Sequence, residues 1–306
     1  MKRVLVYEFL SAGGVAADDP HEQATLLAQG AAMRNAIAAD LARSGRAIEL
    51  CVAVSDAAPA SIGAPQRAQA DEQPLDFFRR AIGQVDQVWA VAPESGGMLL
   101  QLARIAGPDR WIGCNEAAIT LTASKTRTLA ALERAGVATP RGFAGPRYVV
   151  KPEDGAGCAQ TFVYDTHALA QAAAVERCAR GEAVAIEPFV EGEALSLSLL
   201  CGQEGVELLS VNRQHIETSH CGALAFRGVS ADATADPRGP VLAAFAREIV
   251  AAIPGLAGFV GVDLVWSAAQ GPTVIEVNPR ATSAYVGLSR RLGRNIGDSV
   301  LSMFAP

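Results

Sequence analysis

Four polar residues near the end of the sequence have a spacing that suits metal binding. Asp263 interrupts the apolar run GFVGVDLVW, and Glu276, Asn278 and Arg280 follow within TVIEVNPR. Because side chains of a strand alternate between its faces, Glu276 and Asn278 are predicted to point the same way. Two carboxylates in an apolar environment repel each other and are costly to bury. A hard divalent ion removes both costs, so Asp263, Glu276 and Asn278 are predicted Mg²⁺ ligands.

The same residues have a second interpretation that needs no metal. Asn278 and the proline after it are typical of the start of a turn, and Arg280 could then form an ion pair with Glu276 at a solvated strand end. These residues alone leave both interpretations open.

A lysine before a glycine-containing loop suggests phosphate binding. Lys151 ends the apolar strand predicted over 147–152, and the loop EDGAGC follows it directly. Backbone N–H groups of such loops bind phosphate, and a lysine adds a point charge. The segment lacks the Walker A pattern, so it is predicted to fold over a phosphate tail as a hairpin loop. An ordinary β-turn with a surface lysine is the alternative.

The segment EPFVEGE follows a predicted strand over 183–186. Its extended backbone could bind an adenine edge and Phe189 its face, while Glu187 and Glu193 could bind amine or ribose hydroxyl groups. The alternative is a solvated acidic connector. Further on, 212–227 is predicted to be a long polar loop that contacts a substrate.

Strands and helices alternate over the first ~113 residues, which predicts a parallel α/β layer. The predicted strands are 3–9, 47–54, 87–92 and 110–113, and the predicted helices are 21–43, 75–82 and 94–106, with a loop over 57–73. The first strand is followed by SAGGV rather than G-x-G-x-x-G, so dinucleotide binding is rejected. Glu8, Gly13 and Gly14 are predicted at the substrate-facing edge of this sheet, and a tight turn with a solvated glutamate is the alternative.

The rest of the chain is predicted to be mixed, with an α+β organisation. Helices are predicted over 116–123, 125–135, 166–180, 237–252 and much of 288–304, and strands over 161–164, 194–201, 205–211, 258–266 and 273–277.

Composition limits the classes of function. The net charge of −6 argues against a general nucleic-acid or membrane-surface binder, and no apolar run approaches the ~20 residues of a spanning helix. The six cysteines contain no C-x-x-C pair, which is typical of reduced intracellular thiols. A cytoplasmic protein is therefore expected.

Five segments in order resemble the ATP-grasp superfamily: SKTRTLAALERAGVATP, YVVKPEDGAGC, IEPFVEGEALSLSLL, GFVGVDLVW and TVIEVNPR. They cover about 115–290. The resemblance implies an N-terminal α/β pre-ATP-grasp domain over 1–114 and a two-lobed ATP-grasp domain over 115–306. The small lobe would span about 125–187 and the large lobe about 188–306.

The resemblance also implies roles for individual residues. Lys125 and Lys151 would bind the phosphates of ATP, and Arg280 with Lys151 would act in catalysis. The mobile loop over the phosphates would comprise Asp154, Gly155, Ala156, Gly157 and Cys158; the adenine hinge Glu187, Phe189 and Val190; and the site for Mg²⁺ or Mn²⁺ Asp263, Glu276 and Asn278. The family commonly has a ribose-binding glutamate where this chain has Ala194, so Glu193 is the predicted substitute.

Within the superfamily, VYEFLSAGG, APESGGMLLQLA, SVNRQHIE and NPRATSAYVGLS resemble the branch that contains the tyramine–glutamate ligase of methanofuran biosynthesis. This implies ATP-dependent ligation, through an acyl phosphate, of glutamate to an aromatic amine such as tyramine or tyrosine. The substrate-binding residues are predicted to be Glu8, Gly13, Gly14, Arg213, Gln214, Arg280 and Ser283. The alternatives are a small-molecule phosphotransferase and a non-catalytic ATP-binding regulatory protein. The family resemblance also allows a homodimer.

Overall fold

The computed structural model describes residues 1–17, 19–143, 145–155, 157–233 and 236–304. Its N-terminal part is a five-stranded parallel sheet in the order β3-β2-β1-β4-β5. The strands are β1 (Lys2–Glu8), β2 (Ile48–Val54), β3 (Ala64–Arg67), β4 (Gln87–Val91) and β5 (Trp111–Ile112), and the helices are α1 (Pro20–Ala42), α2 (Pro74–Ile82) and α3 (Met98–Ala106). The predicted parallel layer is confirmed.

The short edge strand β3 lies within 57–73, where the sequence predicted only a loop. Its residues are mostly exposed, and it begins with Ala64-Pro65. Pro65 cannot donate to a ladder, which limits it to an edge position. Backbone pairing with β2, rather than an apolar pattern, therefore makes this segment a strand.

The strand order places a topological switch point between β1 and β4. The chain continues from β1 through α1 to β2 on one side, and from β4 through α3 to β5 on the other. A crevice forms at the carboxyl ends of two strands whose connections diverge in this way, and α/β sheets bind ligands there. The Phe9 amide donates to the Val91 carbonyl at 2.9 Å, which joins the two strand ends at the floor of this crevice.

Two helices and a small antiparallel sheet follow. The helices are α4 (Glu116–Thr122) and α5 (Lys125–Arg134), and the sheet has the order β7-β6-β8, with β6 (Tyr148–Pro152), β7 (Phe162–Tyr164) and β8 (Val184–Pro188). Helix α6 (His167–Ala179) covers one face, where Val150, Ala170 and Ala174 form a small core. The N-cap side chain of Ser124 accepts from the Arg127 amide, so α5 begins at Lys125 and places that lysine in its first turn.

The second large sheet is antiparallel, in the order β11-β10-β9-β12-β13. Its strands are β9 (Glu193–Gly202), β10 (Gly205–Thr218), β11 (Leu224–Ala233), β12 (Gly258–Ser267) and β13 (Gly271–Asn278), and α7 (Gly239–Ala252) connects β11 to β12. A parallel sheet followed by antiparallel sheets confirms the predicted fold class.

The prediction of a long loop over 212–227 was wrong. Most of this segment belongs to β10 and β11, which pair through Gln214 opposite Val229 and Ile216 opposite Phe226. The residues are largely polar because this hairpin extends beyond the core, where backbone hydrogen bonds rather than burial hold the strands together.

The last part of the chain returns to the N-terminal sheet through α8 (Leu288–Leu292) and α9 (Ile296–Met303). Tyr285 is fully buried there, and its hydroxyl donates to Asp40 of α1 at 2.7 Å. The Tyr285 ring also meets Trp89 of β4 and Phe259 of β12 edge to face, at centroid distances of 5.8 and 5.2 Å. One side chain thus ties both large sheets together. Among the described helices, none combines the length and apolarity needed to cross a membrane.

Candidate functional site

The structure brings the three predicted metal ligands together on adjacent strands. Asp263 of β12 lies opposite Glu276 of β13, and Asn278 is two residues further along the same strand. The side-chain nitrogen Nδ2 of Asn278 donates to Asp263 Oδ2 at 3.2 Å, and Gln214 Nε2 from β10 donates to Asp263 Oδ1 at 2.9 Å. Gln214, a predicted substrate contact, therefore lies at this carboxylate cluster.

The chemistry of this cluster fits a divalent ion. Burial, together with the nearby charge of Glu276, raises the pKa of Asp263 to about 7. A cation bound between the two carboxylates would lower the pKa of Asp263 again, since it favours the ionised forms of both groups. The described chain offers no group of three or more His, Cys, Asp or Glu side chains suited to a metal. The oxygens of Asp263, Glu276 and Asn278 fit Mg²⁺, which usually completes its shell with phosphate and water.

Lys125 connects the carboxylate cluster to the glycine loop. Its Nζ lies 3.2 Å from Glu276 Oε1, and the side chain is only 7% exposed. The same ammonium group donates to the Gly155 carbonyl. A positive charge that is positioned by α5 thus lies between a candidate metal ligand and the loop predicted to cover phosphates.

Lys151 and Glu187 form a second buried ion pair, with Nζ and Oε2 2.7 Å apart. They lie on the neighbouring strands β6 and β8, where Val149 is directly opposite Glu187. The second oxygen of this carboxylate, Oε1, is buried and has no hydrogen-bond partner within the described parts of the chain. An acceptor of this kind suits an amino group such as that of adenine.

The first two residues of the glycine loop (153–158) are attached to two different parts of the chain. Glu153 accepts hydrogen bonds from Thr126, both from its amide at 3.0 Å and from its hydroxyl at 2.8 Å. Asp154 reaches the N-terminal sheet, where its Oδ2 accepts from the Gly96 amide at 3.0 Å. Its carbonyl accepts from Ser95 Oγ, also at 3.0 Å.

Within this loop, Gly157 has φ 66°, a left-handed conformation that favours glycine. Burial, together with the carboxylates of Asp263 and Glu276, raises the pKa of Cys158 to about 11, so its thiol is a poor nucleophile. The predicted loop residue Ala156 lies outside the described residues.

The segment predicted to bind adenine is extended, and arginine side chains contact several of its residues. The Phe189 amide donates to the Arg147 carbonyl at 2.9 Å, and the Arg147 guanidinium stacks over the Phe189 ring at 4.5 Å. Val190 is buried. Glu193 accepts from Arg213 Nε at 2.6 Å and from Arg238 at 2.7 Å. The predicted ribose ligand Glu193 and the predicted substrate ligand Arg213 are therefore partners of each other.

Arg280 pairs with a residue that the sequence analysis did not assign to the site. Its Nη2 donates to Glu94 Oε2 at 2.9 Å, from the segment after β4. Although burial disfavours its charged form, the neighbouring carboxylates of Glu94, Glu276 and Asp263 raise the pKa of Arg280. The alternative ion pair between Arg280 and Glu276 was wrong, since Glu276 pairs with Lys125. The available signal for Glu94 was its place at the carboxyl end of β4.

The predicted substrate contacts in the first loop have structural roles. Glu8 is 2% exposed and accepts from the amides of Leu10 and Ser11 at 3.1 and 2.7 Å, so it stabilises a tight turn and is buried rather than solvated. Gly13 closes this turn with φ 106°, and Gly14 packs against the Phe9 ring. Contacts from these residues to a substrate stay a prediction.

Ser283, the remaining predicted substrate contact, begins the 3-10 turn Ser283–Tyr285, which packs against α1 and β11. A cavity of about 480 Å³ lies elsewhere, beside the turn between β12 and β13. Glu133, Arg141 and Phe143 help to line it, and its lining contains none of the predicted site residues.

The fold and site define a class of protein in which a small antiparallel sheet and a larger one position lysines and carboxylates around a shared site. The comparisons with known protein families point to the same class. Residues 122–284 match the ATP-grasp domain family, and residues 48–119 match the pre ATP-grasp 3 domain. The first match covers more than half of the chain. The chain belongs to the ATP-grasp family.

One curated relative is a tyramine–L-glutamate ligase from Methanocaldococcus fervens, 30% identical over 206 residues. This match covers 67% of the chain but spans only 62% of the length of that relative. Among solved structures, an ATP-grasp superfamily protein from Archaeoglobus fulgidus superposes with TM-score 0.74 at 23% identity, covering 99% of this chain and 88% of that one. The VanG D-Ala:D-Ser ligase from Enterococcus faecalis gives 0.71 at 15% identity, with 99% of each chain covered. These structural likenesses show the fold alone.

Proposed function

We propose that this protein is an ATP-dependent carboxylate–amine ligase that forms an amide through an acyl phosphate. The observation that carries the proposal is the position of Lys125, whose Nζ lies 3.2 Å from Glu276 and which also donates to the Gly155 carbonyl. A cation proposed to bind phosphate is therefore in contact with a carboxylate proposed to bind metal and with a loop proposed to cover phosphates, which supports the proposal. Phosphoryl transfer depends on this kind of positioning and charge.

Each part of the site has a role toward the nucleotide. Lys125 and Lys151 bind phosphate oxygens, and the segment 154–158 covers them. Glu187 Oε1 accepts a hydrogen bond from the adenine amino group, while the backbone at Phe189 and Val190 binds the adenine edge. When bound by Asp263, Glu276 and Asn278, Mg²⁺ or Mn²⁺ supplies positive charge to the phosphates.

The chemistry proceeds in two steps. An oxygen of the substrate carboxylate attacks the γ-phosphorus, the bond to the bridging oxygen breaks, and ADP leaves. The amine nitrogen then attacks the acyl carbon, phosphate leaves, and the nitrogen loses a proton. Arg280 and Lys151 stabilise the charge that develops on the transferred group. The closed glycine loop keeps water away from the acyl phosphate.

The substrates are proposed to be glutamate and an aromatic amine such as tyramine or tyrosine. The support is the name of the curated relative at 30% identity. The pre-ATP-grasp segments VYEFLSAGG and APESGGM lie at the switch-point crevice, where substrates of an α/β sheet bind. A cytoplasmic location and a homodimer stay predictions from the sequence.

The test is to incubate the protein with ATP, Mg²⁺, glutamate and a panel of amines, and to identify the products by mass spectrometry. Amide, ADP and phosphate in equal amounts are expected. A phosphorylated product without amide would instead support the phosphotransferase. ATP binding without turnover of any substrate in the panel would support the regulatory protein.

A further inference from the structure

Glu94 lies at the place where the two halves of the site meet. It follows β4 at the switch point of the parallel sheet, and its carboxylate reaches Arg280, which is 186 residues away in sequence. The side chain of Glu94 is 6% exposed and that of Arg280 is 12% exposed. The pair is therefore a buried contact between the segment after β4 and the segment after β13, and Arg280 lies near the carboxylates of Asp263 and Glu276.

The backbone around Glu94 holds the carboxylate in place. The Gly97 amide donates to the Glu94 carbonyl at 2.9 Å, which closes a turn. Gly96 and Gly97 have φ 61° and 67°, values that strain residues with a side chain. Ser95 and the Gly96 amide also bond to Asp154 of the glycine loop. A carboxylate on such a constrained turn is well suited to bind a ligand, because little ordering is needed.

The ion pair leaves one buried atom on each side without a partner. Within the residues that the structure describes, neither Glu94 Oε1 nor Arg280 Nε has a hydrogen-bond partner, and both atoms are shielded from solvent. Unpartnered buried charged groups are costly, and each such group in a folded protein calls for an explanation. Oε1 can only accept, whereas Nε can only donate. A ligand that satisfies both offers a donor to Oε1 and an acceptor to Nε, and the opposite charges of the two side chains favour a cationic donor and an anionic acceptor close together.

We propose that Glu94 binds the ammonium group of an amino-acid substrate, while Arg280 contacts a carboxylate of the same molecule. The inference rests on the proposed ligase and deepens it, since it names the residues that would recognise the ammonium group and the carboxylate of the amino-acid substrate. Arg280 contacts only Oε2 of Glu94, so Oε1 is left for the ammonium group. Glu94 is thus a specificity-determining residue.

The proposal is tested by measuring binding rather than turnover. The protein is saturated with Mg²⁺ and a nonhydrolysable ATP analogue and titrated by calorimetry with pairs of acids that differ only in the ammonium group. The pairs are L-glutamate and glutarate, L-aspartate and succinate, and L-alanine and propionate. The protein should prefer at least one amino acid over its partner by roughly 10- to 100-fold, as expected for one charge-assisted hydrogen bond.

The variant Glu94→Gln keeps the shape and an oxygen for Arg280 but removes the charge. It should abolish the preference by weakening amino-acid binding while leaving binding of the deamino acid unchanged. The matched control is Glu116→Gln, which removes an exposed carboxylate whose partner is Arg104 on the surface, at 3.0 Å. This control should retain the full preference.

The role of Glu94 is overturned if no amino acid binds more tightly than its deamino partner, or if Glu94→Gln retains the preference. Equal weakening of both acids would also overturn it, because a residue that only orients Arg280 would act on the shared carboxylate. If thermal unfolding shows that Glu94→Gln does not fold, Glu94→Asp replaces it. The aspartate side chain is one methylene shorter, so its carboxylate lies farther from the ammonium group and the preference should fall. An unchanged preference would contradict the proposal.

The proposed ligase activity can be disproved independently of the role of Glu94. A wild-type protein that prefers the amino acid in a Glu94-dependent way but forms no amide with any amine would disprove the ligase and leave this assignment intact.

Discussion

Lys151 and Glu187 form a buried ion pair across β6 and β8, with Nζ and Oε2 2.7 Å apart and both side chains no more than 6% exposed. They are diagonal neighbours on the same sheet face, because Val149 and not Lys151 is directly opposite Glu187. A residue proposed to bind phosphate is therefore held by a residue proposed to bind adenine. Single and double substitutions of this pair can therefore separate the effect on stability from the effect on catalysis.

Lys151→Met should reduce both activity and stability. It removes the phosphate contact and leaves the Glu187 carboxylate buried without its partner, which costs about 3–5 kcal/mol of unfolding free energy. The double variant Lys151→Met/Glu187→Gln should recover most of the stability but none of the activity. Urea unfolding and the rate of ADP formation measure the two quantities. A single variant with wild-type turnover would remove Lys151 from the mechanism.

Asp263→Asn should lower the rate of ADP formation by about 100-fold or more, because one preorganised charge contact to the reacting phosphates is lost. The free energy of unfolding without metal should be unchanged or higher, since the substitution removes the repulsion between two partly buried carboxylates. The measurements are turnover against Mg²⁺ concentration and urea unfolding in the presence of a chelator. Asp109→Asn, on the exposed surface, is the control. A wild-type Mg²⁺ profile in Asp263→Asn would argue against the metal site.

Asp154→Ala should uncouple ATP hydrolysis from amide formation. The substitution removes the bond from the Gly96 amide to the side chain of the glycine loop. A looser loop admits water to the acyl phosphate, so ADP should form in excess over amide. The ratio of ADP to amide is measured, with the exposed Asp165→Ala as control. A ratio that stays at one would show that this contact does not hold the loop closed.

Tyr285→Phe should destabilise the protein by roughly 1.5–3 kcal/mol, the range for a buried hydrogen bond to a charged group. The hydroxyl donates to Asp40 at 2.7 Å, where the end of the chain packs on α1. Urea unfolding gives the change, and Tyr164→Phe, at a partly exposed tyrosine, is the control. Equal effects of the two substitutions would mean that the bond to Asp40 contributes little.

Cysteine labelling should follow burial and pKa. The Ser219 hydroxyl lowers the pKa of the exposed Cys221 thiol, so this residue should react first with a thiol reagent. Burial raises the pKa of Cys114 to about 12 and also raises that of Cys201, so both should react only after unfolding. Peptide mass mapping over time checks the order. Early labelling of Cys114 would contradict its burial against Ala257, just before β12.

The sequence by itself determined the features that depend on local geometry. The spacing of Glu276 and Asn278 places both on one face because a strand repeats every two residues. Alternating elements predicted the parallel layer, and five segments in order indicated the ATP-grasp fold before any contact was known. The positions of Glu276 and Asn278 thus followed from the sequence, whereas the contact of Asp263 with them needed the pairing of β12 with β13.

Only the tertiary structure decided which charges are partners. Glu94 and Arg280 are 186 residues apart, and no local pattern indicates that they meet. Lys125 lies near Glu276 because α5 packs against β13. The polar strands at 212–227 were missed because hydrophobic periodicity reports burial, whereas that hairpin is held by backbone pairing. Ion pairs and strand pairing join distant parts of the chain, so the folded structure is needed to identify them.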